Sequence, residues 1–498
     1  MRRRALAVAV LLAANLALRA VPQAIEGVPF STDAWGPLRN SEVLLRHSPI
    51  ALTSELFDGY NNFWPANSIA VAVASLLAGI DVERALELVI VASAAALCLV
   101  LARGGPPLLL ACAYLGFVEM GAGLTKEGYA YPLAALGVAL AVGSRRRADM
   151  LAAIPALAAL PLAHHLTTLA LLASFAALML FGALEELARP APSDGPLAAR
   201  KVAPAFALLA AMAIAHYLAL GRGGAPLELT PWLATSSALH VVLLSWIVSL
   251  APRPRGLGAL ARALTYVAAS AFPALIAASW PGLTPPEKAL LALMASSYAA
   301  TMVALAAEPA LLAGRFAGAL MALGPASLAL FALDEGLPLS TSIAYRVLGP
   351  TLLVALSCAT ALRSQWRWRA VAIAAAALAA SSIASFALAG AGVAPSLGYY
   401  WWYSREEVVN AGIIAAHLPP GAGLESDVKQ ASLLWGLYAV RATAAAGPGA
   451  CFLYYKYMSN VGELLGVAIT AKIASPAPRG PIVFSSDNAL LVGPCSSS

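Results

Sequence analysis

Residues 31–40 read Ser-Thr-Asp-Ala-Trp-Gly-Pro-Leu-Arg-Asn, a polar and aromatic stretch that follows the first apolar segment of the chain. Ser31, Thr32 and Asp33 precede apolar residues at helical spacing, which predicts a helix that begins close to Asp33. Asp33 either caps that helix or serves as a reactive carboxylate, and the residues themselves leave both roles open. The side of a membrane on which the stretch lies depends on the rest of the chain.

The composition indicates a membrane protein with many spans. Of the 498 residues, 60% are apolar and 11% are charged, and the mean hydropathy is +0.78. Soluble domains carry roughly 25% charged residues. The formal charge of +6 comes largely from arginines clustered between apolar runs. Such clusters are typical of topology signals, so we expect membrane lipid as a partner and no nucleic acid.

The apolar runs predict about thirteen membrane-spanning helices, with the amino terminus in the cytoplasm and the carboxyl terminus outside. Residues 5–21 form the first span, and a cleaved signal peptide is the alternative. Whether residues 64–80 cross the membrane decides the side of every later loop. If they lie on the outer surface instead, the arginines at 145–147 and the later basic clusters all fall on the cytoplasmic side, as the positive-inside rule requires.

We therefore predict an all-α polytopic membrane domain over residues 1–394, with a large first extracytoplasmic loop at residues 22–83. From residue 395 onward the composition changes to that of a small extracytoplasmic α/β domain, residues 395–498. Its helix-like segments are 406–417 and 428–440, and its strand-like segments are 450–457 and 481–492. Cys451 and Cys495 flank the strand-like segments and could pair outside the cytoplasm.

With this topology, polar and charged residues, whose burial in a membrane is energetically unfavourable, lie mostly at the outer ends of the spans. Lys126 and Glu127 stand between two apolar runs, His164 and His165 end a span, and Arg346 lies at the outer lip of a late span. The structural alternatives are a salt bridge for the Lys-Glu pair and snorkelling for the arginine. The two histidines could bind a phosphate, a sugar or a metal. Transporters more often place ionisable groups at mid-membrane, so this distribution favours a site at the outer face.

These features resemble the C-type (GT-C) glycosyltransferases, which include protein O-mannosyltransferases, aminoarabinose transferases and the catalytic subunits of oligosaccharyltransferases, in particular their prokaryotic members, archaeal ones included. The first outer loop carries an acidic residue, Asp33, before an amphipathic helix, and then a Trp-Pro helix from Trp64 that does not cross. The stretch at 121–127 looks like the Gly…Leu-Thr-Lys turn of some of these enzymes. Tyr345-Arg346 before Pro350 looks like their arginine-proline segment.

The resemblance implies transfer of a sugar from a polyprenyl- or dolichyl-phosphate carrier to a protein, glycan or lipid acceptor at the outer face. It also implies an acidic loop residue as base and cations on the lipid phosphate. The residues carried over are the catalytic Asp33 and Glu127, and the phosphate- and sugar-binding Lys126, His164, His165 and Arg346. No cofactor follows from the sequence, and a divalent metal, Mg or Mn, stays open.

One segment departs from the family pattern. Residues 400–404, Tyr-Trp-Trp-Tyr-Ser, lack the Asp and Gly of the Trp-Trp-Asp-Tyr-Gly signature of oligosaccharyltransferases, which argues against an asparagine sequon as acceptor. Two other classes of function remain. A transporter or flippase of lipid-linked saccharides would need a polar path through the spans. A non-catalytic member of an envelope-assembly complex would use its outer tail as the working part.

Overall fold

The structure is a computed structural model. It describes residues 2–102, 125–143, 147–187, 199–220, 402–443, 449–461 and 480–495, with isolated positions at 111, 123 and 285 and between 349 and 380. Arg346 and most of the spans predicted after residue 220 lie outside the described residues. The predicted count of about thirteen spans therefore stays a prediction.

Eight helices make up the described part of the chain before residue 221. They are α1 Arg2–Glu26, α2 Trp35–His47, α3 Ala66–Ala78, α4 Val82–Ala102, α5 Lys126–Gly143, α6 Arg147–Ala163, α7 His165–Leu187 and α8 Ala199–Ala219. Among the described residues, Val82–Ala102 and Val202–Ala219 are long and apolar enough to cross a membrane. Both coincide with apolar runs, residues 84–101 and 202–220, that the sequence predicts as spans. Helices α5, α6 and α7 follow one another closely, so the start of α5 and the start of α7 lie at the same end of this group.

The predicted first extracytoplasmic loop, residues 22–83 and named the first outer loop for that prediction, contains α2, α3 and two short 3-10 helices, Thr32–Ala34 and Asn61–Phe63. Helix α3 has 13 residues. That length spans about 20 Å, well short of the ~30 Å hydrocarbon core of a bilayer. Its outward surface carries apolar side chains, with Leu76 and Leu77 exposed at 71% and 84%. Helix α3 is therefore shorter than a membrane span, and the location of residues 64–80 on the membrane surface stays a prediction.

The carboxy-terminal segment packs three helices on a four-stranded sheet. The helices are α9 Arg405–His417, α10 Val428–Tyr438 and α11 Lys456–Val461, and the strands are β1 Leu424–Glu425, β2 Cys451–Tyr455, β3 Ile482–Ser485 and β4 Ala489–Val492. The strand order is β1-β2-β4-β3, with β1 parallel to β2 and the other pairs antiparallel. The Cys451–Cys495 disulfide joins the start of β2 to the residues after β4, which confirms the predicted pairing.

The single strand predicted at 481–492 is wrong, because this segment forms the β3–β4 hairpin. The chain reverses at Ser486, Asp487 and Asn488, residue types that favour turns by bonding to nearby backbone. Ser486 Oγ accepts hydrogen bonds from the backbone N–H groups of Ala489 and Asn488, at 3.0 and 3.4 Å. The apolar content of the segment masked this polar turn.

One hydrophobic core is shared by the first outer loop and the carboxy-terminal segment. Trp35 and Leu38 of α2 belong to the same buried cluster as Leu433 and Leu434 of α10. At Gly436 a Cβ atom would lie 2.6 Å from the Cβ of Trp35, so only glycine permits this close approach of α10 to α2. The loop and the tail therefore lie on the same side of the membrane domain.

Candidate functional site

Asp33 lies half-buried in the 3-10 helix Thr32–Ala34. Ser31 caps this turn, because its Oγ accepts a hydrogen bond from the backbone N–H of Asp33 at 3.2 Å. The N-cap of α2 is Ala34, without a side-chain cap, so Asp33 does not cap α2. Ser31 is fully buried and has a φ of 89°. Such a conformation is strained for serine and persists only where the surrounding structure enforces it, as often happens at functional sites.

Asp58 organises the loop between α2 and α3. Its Oδ1 accepts hydrogen bonds from the backbone N–H groups of Tyr60 at 3.1 Å and Asn61 at 2.8 Å. Asn40 of α2 bonds to Asp58 through both its amide nitrogen and its amide oxygen, each at 3.0 Å. A Cβ atom at Gly36 would collide with the side chains of Asp58 and Asn61. This network fixes the loop on α2 and orients the aromatic residues that follow.

Lys126 begins α5 and is buried against two of these aromatic rings. Its Nζ lies 3.8 Å from the ring centre of Tyr60 and 4.9 Å from that of Trp64, and the residue is 6% exposed. His165 packs on Trp64, with ring centres 4.6 Å apart. Cation–π contacts of this kind stabilise a partly desolvated ammonium group. The first outer loop thus supplies an aromatic enclosure for a cation at the end of the helical group.

Glu127, the next residue of α5, turns to His164. The Nε2 of His164 lies 3.2 Å from Glu127 Oε1, and both side chains are almost completely buried. The backbone N–H of Thr167 donates to His164 Nδ1 at 3.3 Å, and Thr167 Oγ1 lies 2.8 Å from the same nitrogen. Because Nδ1 accepts from the backbone, the neutral ring carries its proton on Nε2 and donates it to Glu127. His164 therefore orients the carboxylate of Glu127.

A small cavity lies beside the start of α5, lined in part by Arg19 of α1, Asn67 of α3, Ser93 of α4 and Thr125. Arg19 is 3% exposed, and its guanidinium donates to the backbone carbonyl of Asn15 at 3.3 Å. An arginine inside a membrane domain is costly unless polar groups surround it. The cavity thus brings polar groups of α1, α3 and α4 beside Thr125, the residue that precedes Lys126.

The structure brings four predicted site residues together: Lys126, Glu127, His164 and His165. Asp33 lies in the same outer loop that supplies the rings around Lys126, whereas Arg346 falls outside the described residues. Sequence reasoning gave Tyr60 no role; the Asp58-Gly59 turn that precedes it was the available signal. In the part of the chain that the structure describes, no three His, Cys, Asp or Glu side chains are grouped to hold a metal ion.

No protein-family model matches the sequence, and no curated protein matches it either. Among solved structures, the chain is similar to two crystal structures of ArnT from Cupriavidus metallidurans. The form bound to undecaprenyl phosphate is 13% identical with a TM-score of 0.35, and the apo form is 12% identical with a TM-score of 0.40. In both, 97% of each chain is covered.

Proposed function

We propose that this protein transfers a sugar from a polyprenyl- or dolichyl-phosphate carrier to an acceptor at the outer face of the membrane. The observation that supports the proposal is the buried pair formed by Lys126, enclosed by Tyr60 and Trp64, and Glu127, oriented by His164. A buried cation and a buried carboxylate on adjacent residues, under a structured outer loop, fit a site for a charged lipid-linked substrate.

The proposed chemistry assigns a separate task to each charged group. When the bond between the sugar and the carrier phosphate breaks, negative charge develops on the phosphate, and Lys126 is placed to stabilise it. The acceptor hydroxyl must lose a proton as it bonds to the sugar, and Asp33 is the proposed base that takes it. Glu127 would hold hydroxyl groups of the sugar, with His164 fixing its direction. Arg346 is the proposed second cation on the phosphate.

Three features of the chain support the proposal that the site lies at the outer face of the membrane. The positive-inside pattern places the first loop outside. The loop and the carboxy-terminal segment share one core, so they lie on one side. The tail carries a disulfide between Cys451 and Cys495, and such bonds persist in oxidising compartments outside the cytoplasm. The proposed acceptor is a protein, a glycan or a lipid at that surface, which approaches from water or from the membrane plane.

The proposal is tested by replacing Asp33 with asparagine. Purified protein in detergent is incubated with a lipid extract and a cell-envelope extract of the source organism, which supply the sugar-loaded polyprenyl phosphate and the acceptor, and release of free polyprenyl phosphate is measured. Asp33→Asn should lower the rate by a factor on the order of 10² to 10⁴, because a general base is lost. The matched control is Asp487→Asn, at an exposed turn of the tail, which should keep the wild-type rate.

Two outcomes would contradict the proposal. Wild-type release by Asp33→Asn removes Asp33 as the base. Absence of release by the wild-type protein in detergent, combined with movement of intact lipid-linked saccharide across the bilayer of reconstituted vesicles, would instead establish the transporter alternative. Transport by a flippase can be detected only across a closed bilayer, whereas sugar transfer can be measured in detergent. The detergent assay therefore distinguishes the two activities.

A further inference from the structure

The hydroxyl of Tyr403 joins the first outer loop to the carboxy-terminal segment. It lies 2.9 Å from Thr32 Oγ1 and donates to the backbone carbonyl of Lys429 at 2.9 Å. A phenol has one proton to donate, and it is shared with the backbone carbonyl of Lys429, so the Tyr403 oxygen accepts a hydrogen bond from Thr32 Oγ1. Thr32 is the residue directly before Asp33, and both it and Tyr403 are buried. The tail therefore holds the loop one residue from the proposed base.

The ring of Tyr403 is itself firmly fixed. Trp35 packs on it edge-to-face, with ring centres 5.2 Å apart, and Lys429 Nζ lies 4.7 Å from its centre. Lys429 is in turn bound to Glu407 at 2.5 Å. A buried phenol with contacts on both sides has little freedom to rotate. Its hydroxyl can therefore impose a position on Thr32.

The hydrogen bond should persist over the whole physiological pH range. Burial raises the pKa of Tyr403 well above the ordinary value of 10.0, and the nearby charges of Glu407 and Asp427 add to that effect, while the bond from Thr32 opposes it. The hydroxyl thus stays protonated near neutral pH and can donate to Lys429 while accepting from Thr32. The contact is a stable link between the two segments.

We propose that Tyr403 is a positioning residue for Asp33, through which the carboxy-terminal segment sets the direction of the catalytic carboxylate. The strained backbone of Ser31, on the other side of Thr32, needs such a hold, because a residue at positive φ relaxes when its neighbours are released. The inference rests on the proposed function for its catalytic consequence. The coupling of loop and tail stands on the contacts alone.

The test uses Tyr403→Phe and Thr32→Val in the full-length protein. Each removes the hydroxyl and keeps the bulk of the side chain. Release of polyprenyl phosphate should slow about 10-fold in kcat, because misplacing a reactive group is costly, while KM for the lipid-linked sugar changes less than ~2-fold. The double variant should be no slower than either single variant. Hydrogen exchange of the backbone at residues 31–36 should become faster in all three.

The matched control is Tyr455→Phe. Tyr455 is also buried in the tail, and its hydroxyl donates a hydrogen bond to the backbone carbonyl of Glu407 at 3.4 Å. Among the described residues, that hydroxyl makes no hydrogen bond to the first outer loop. This variant should keep both the rate and the exchange of residues 31–36. If it changes them as much as Tyr403→Phe does, the effect is a general loosening of the tail and the inference is overturned.

Two measurements separate this inference from the proposed function. Unchanged exchange at residues 31–36 in Tyr403→Phe and Thr32→Val overturns the coupling, whatever the enzymatic rates are. Faster exchange together with full activity of Asp33→Asn leaves the coupling in place and overturns the role of Asp33. If Tyr403→Phe fails to fold, Thr32→Val carries the same test, because it changes the loop side of the hydrogen bond only.

Discussion

In the described part of the chain, two lysines are buried between pairs of aromatic rings, yet their carboxylate neighbours are arranged differently. Lys429 lies 4.7 Å from the ring centres of both Tyr403 and Tyr457, and it binds the carboxylate of Glu407 directly. Lys126 lies under Tyr60 and Trp64, whereas the adjacent Glu127 bonds to His164. We call these the tail cluster, Lys429 with Glu407, and the membrane cluster, Lys126 with Glu127.

The difference separates a structural ion pair from a candidate site. In the tail cluster Glu407 accepts from Lys429, from the amide of Gln430 at 2.9 Å and from the backbone N–H of Ser404 at 2.7 Å. A buried pair satisfied in this way is typical of a structural network. In the membrane cluster the cation and the carboxylate point to different neighbours. The described contacts thus give the cation aromatic neighbours and the carboxylate a histidine neighbour, and a lysine beside a carboxylate suits a substrate that has both a phosphate and hydroxyl groups.

The largest expected effect is on stability, from Lys429→Met. Removing the lysine leaves the charge of Glu407 buried without its cation, which costs about 3–5 kcal/mol of unfolding free energy in such pairs. Thermal unfolding of the purified protein, followed by tryptophan fluorescence, should show a clearly lower midpoint. The double variant Lys429→Met/Glu407→Gln should recover much of the loss, because no unpaired charge remains. A single variant as stable as the wild type would show that the tail cluster is not structural.

The same substitution at the other lysine should act on function instead. Methionine at position 126 fills the space between Tyr60 and Trp64 and makes favourable sulfur–aromatic contacts, so Lys126→Met should keep a near-wild-type midpoint. Loss of the phosphate cation should slow release of polyprenyl phosphate by about 10- to 100-fold. Binding of polyprenyl phosphate, compared with the uncharged polyprenol by native mass spectrometry, should weaken for the phosphate only.

The comparison breaks if both lysines respond alike. A large drop in midpoint for Lys126→Met, with activity lost in proportion to the unfolded fraction, would make the membrane cluster structural too. Equal weakening of polyprenol and polyprenyl phosphate binding would indicate a lost apolar contact and not a lost cation. Lys126→Arg keeps the charge and serves as the rescue variant.

Much of the helical framework was predictable from local sequence patterns. The apolar runs at 84–101 and 202–220 correspond to α4 and α8, and the segment 406–417 corresponds to α9, whose Ser404 and Glu407 form a capping box. These elements depend on neighbouring residues only. The alternation of spans also predicted that Lys126, Glu127 and His164 lie at the outer face. The structure brings Glu127 into contact with His164, whereas the side of the membrane on which they lie stays a prediction.

The contacts that join distant segments were not predictable. Tyr403 and Thr32 are 371 positions apart, and nothing in the local pattern of either residue indicates the other. Tyr60 was likewise assigned no role, because a loop aromatic acquires a cation partner only through tertiary packing. The shared core of loop and tail has the same origin: each segment shows an apolar side, but a single sequence does not say which sides meet.

The smallest expected effect is the pH dependence of stability that comes from two buried tyrosines of the tail, Tyr455 and Tyr457. Burial raises the pKa of Tyr455 and Tyr457 well above 10.0, with Glu407 and Asp427 adding to it, so the folded state holds these protons where the unfolded chain releases them. The stability that these groups contribute is therefore complete below about pH 10 and declines as pH rises above it.

Tyr455→Phe removes one such group. The unfolding free energy of this variant should therefore fall less steeply than that of the wild type between about pH 10 and pH 11, by on the order of 1 kcal/mol. Midpoints measured from about pH 8 upward check this. Parallel curves for the wild type and the variant above pH 10 would contradict the prediction, because the buried phenol would then contribute nothing to the alkaline loss.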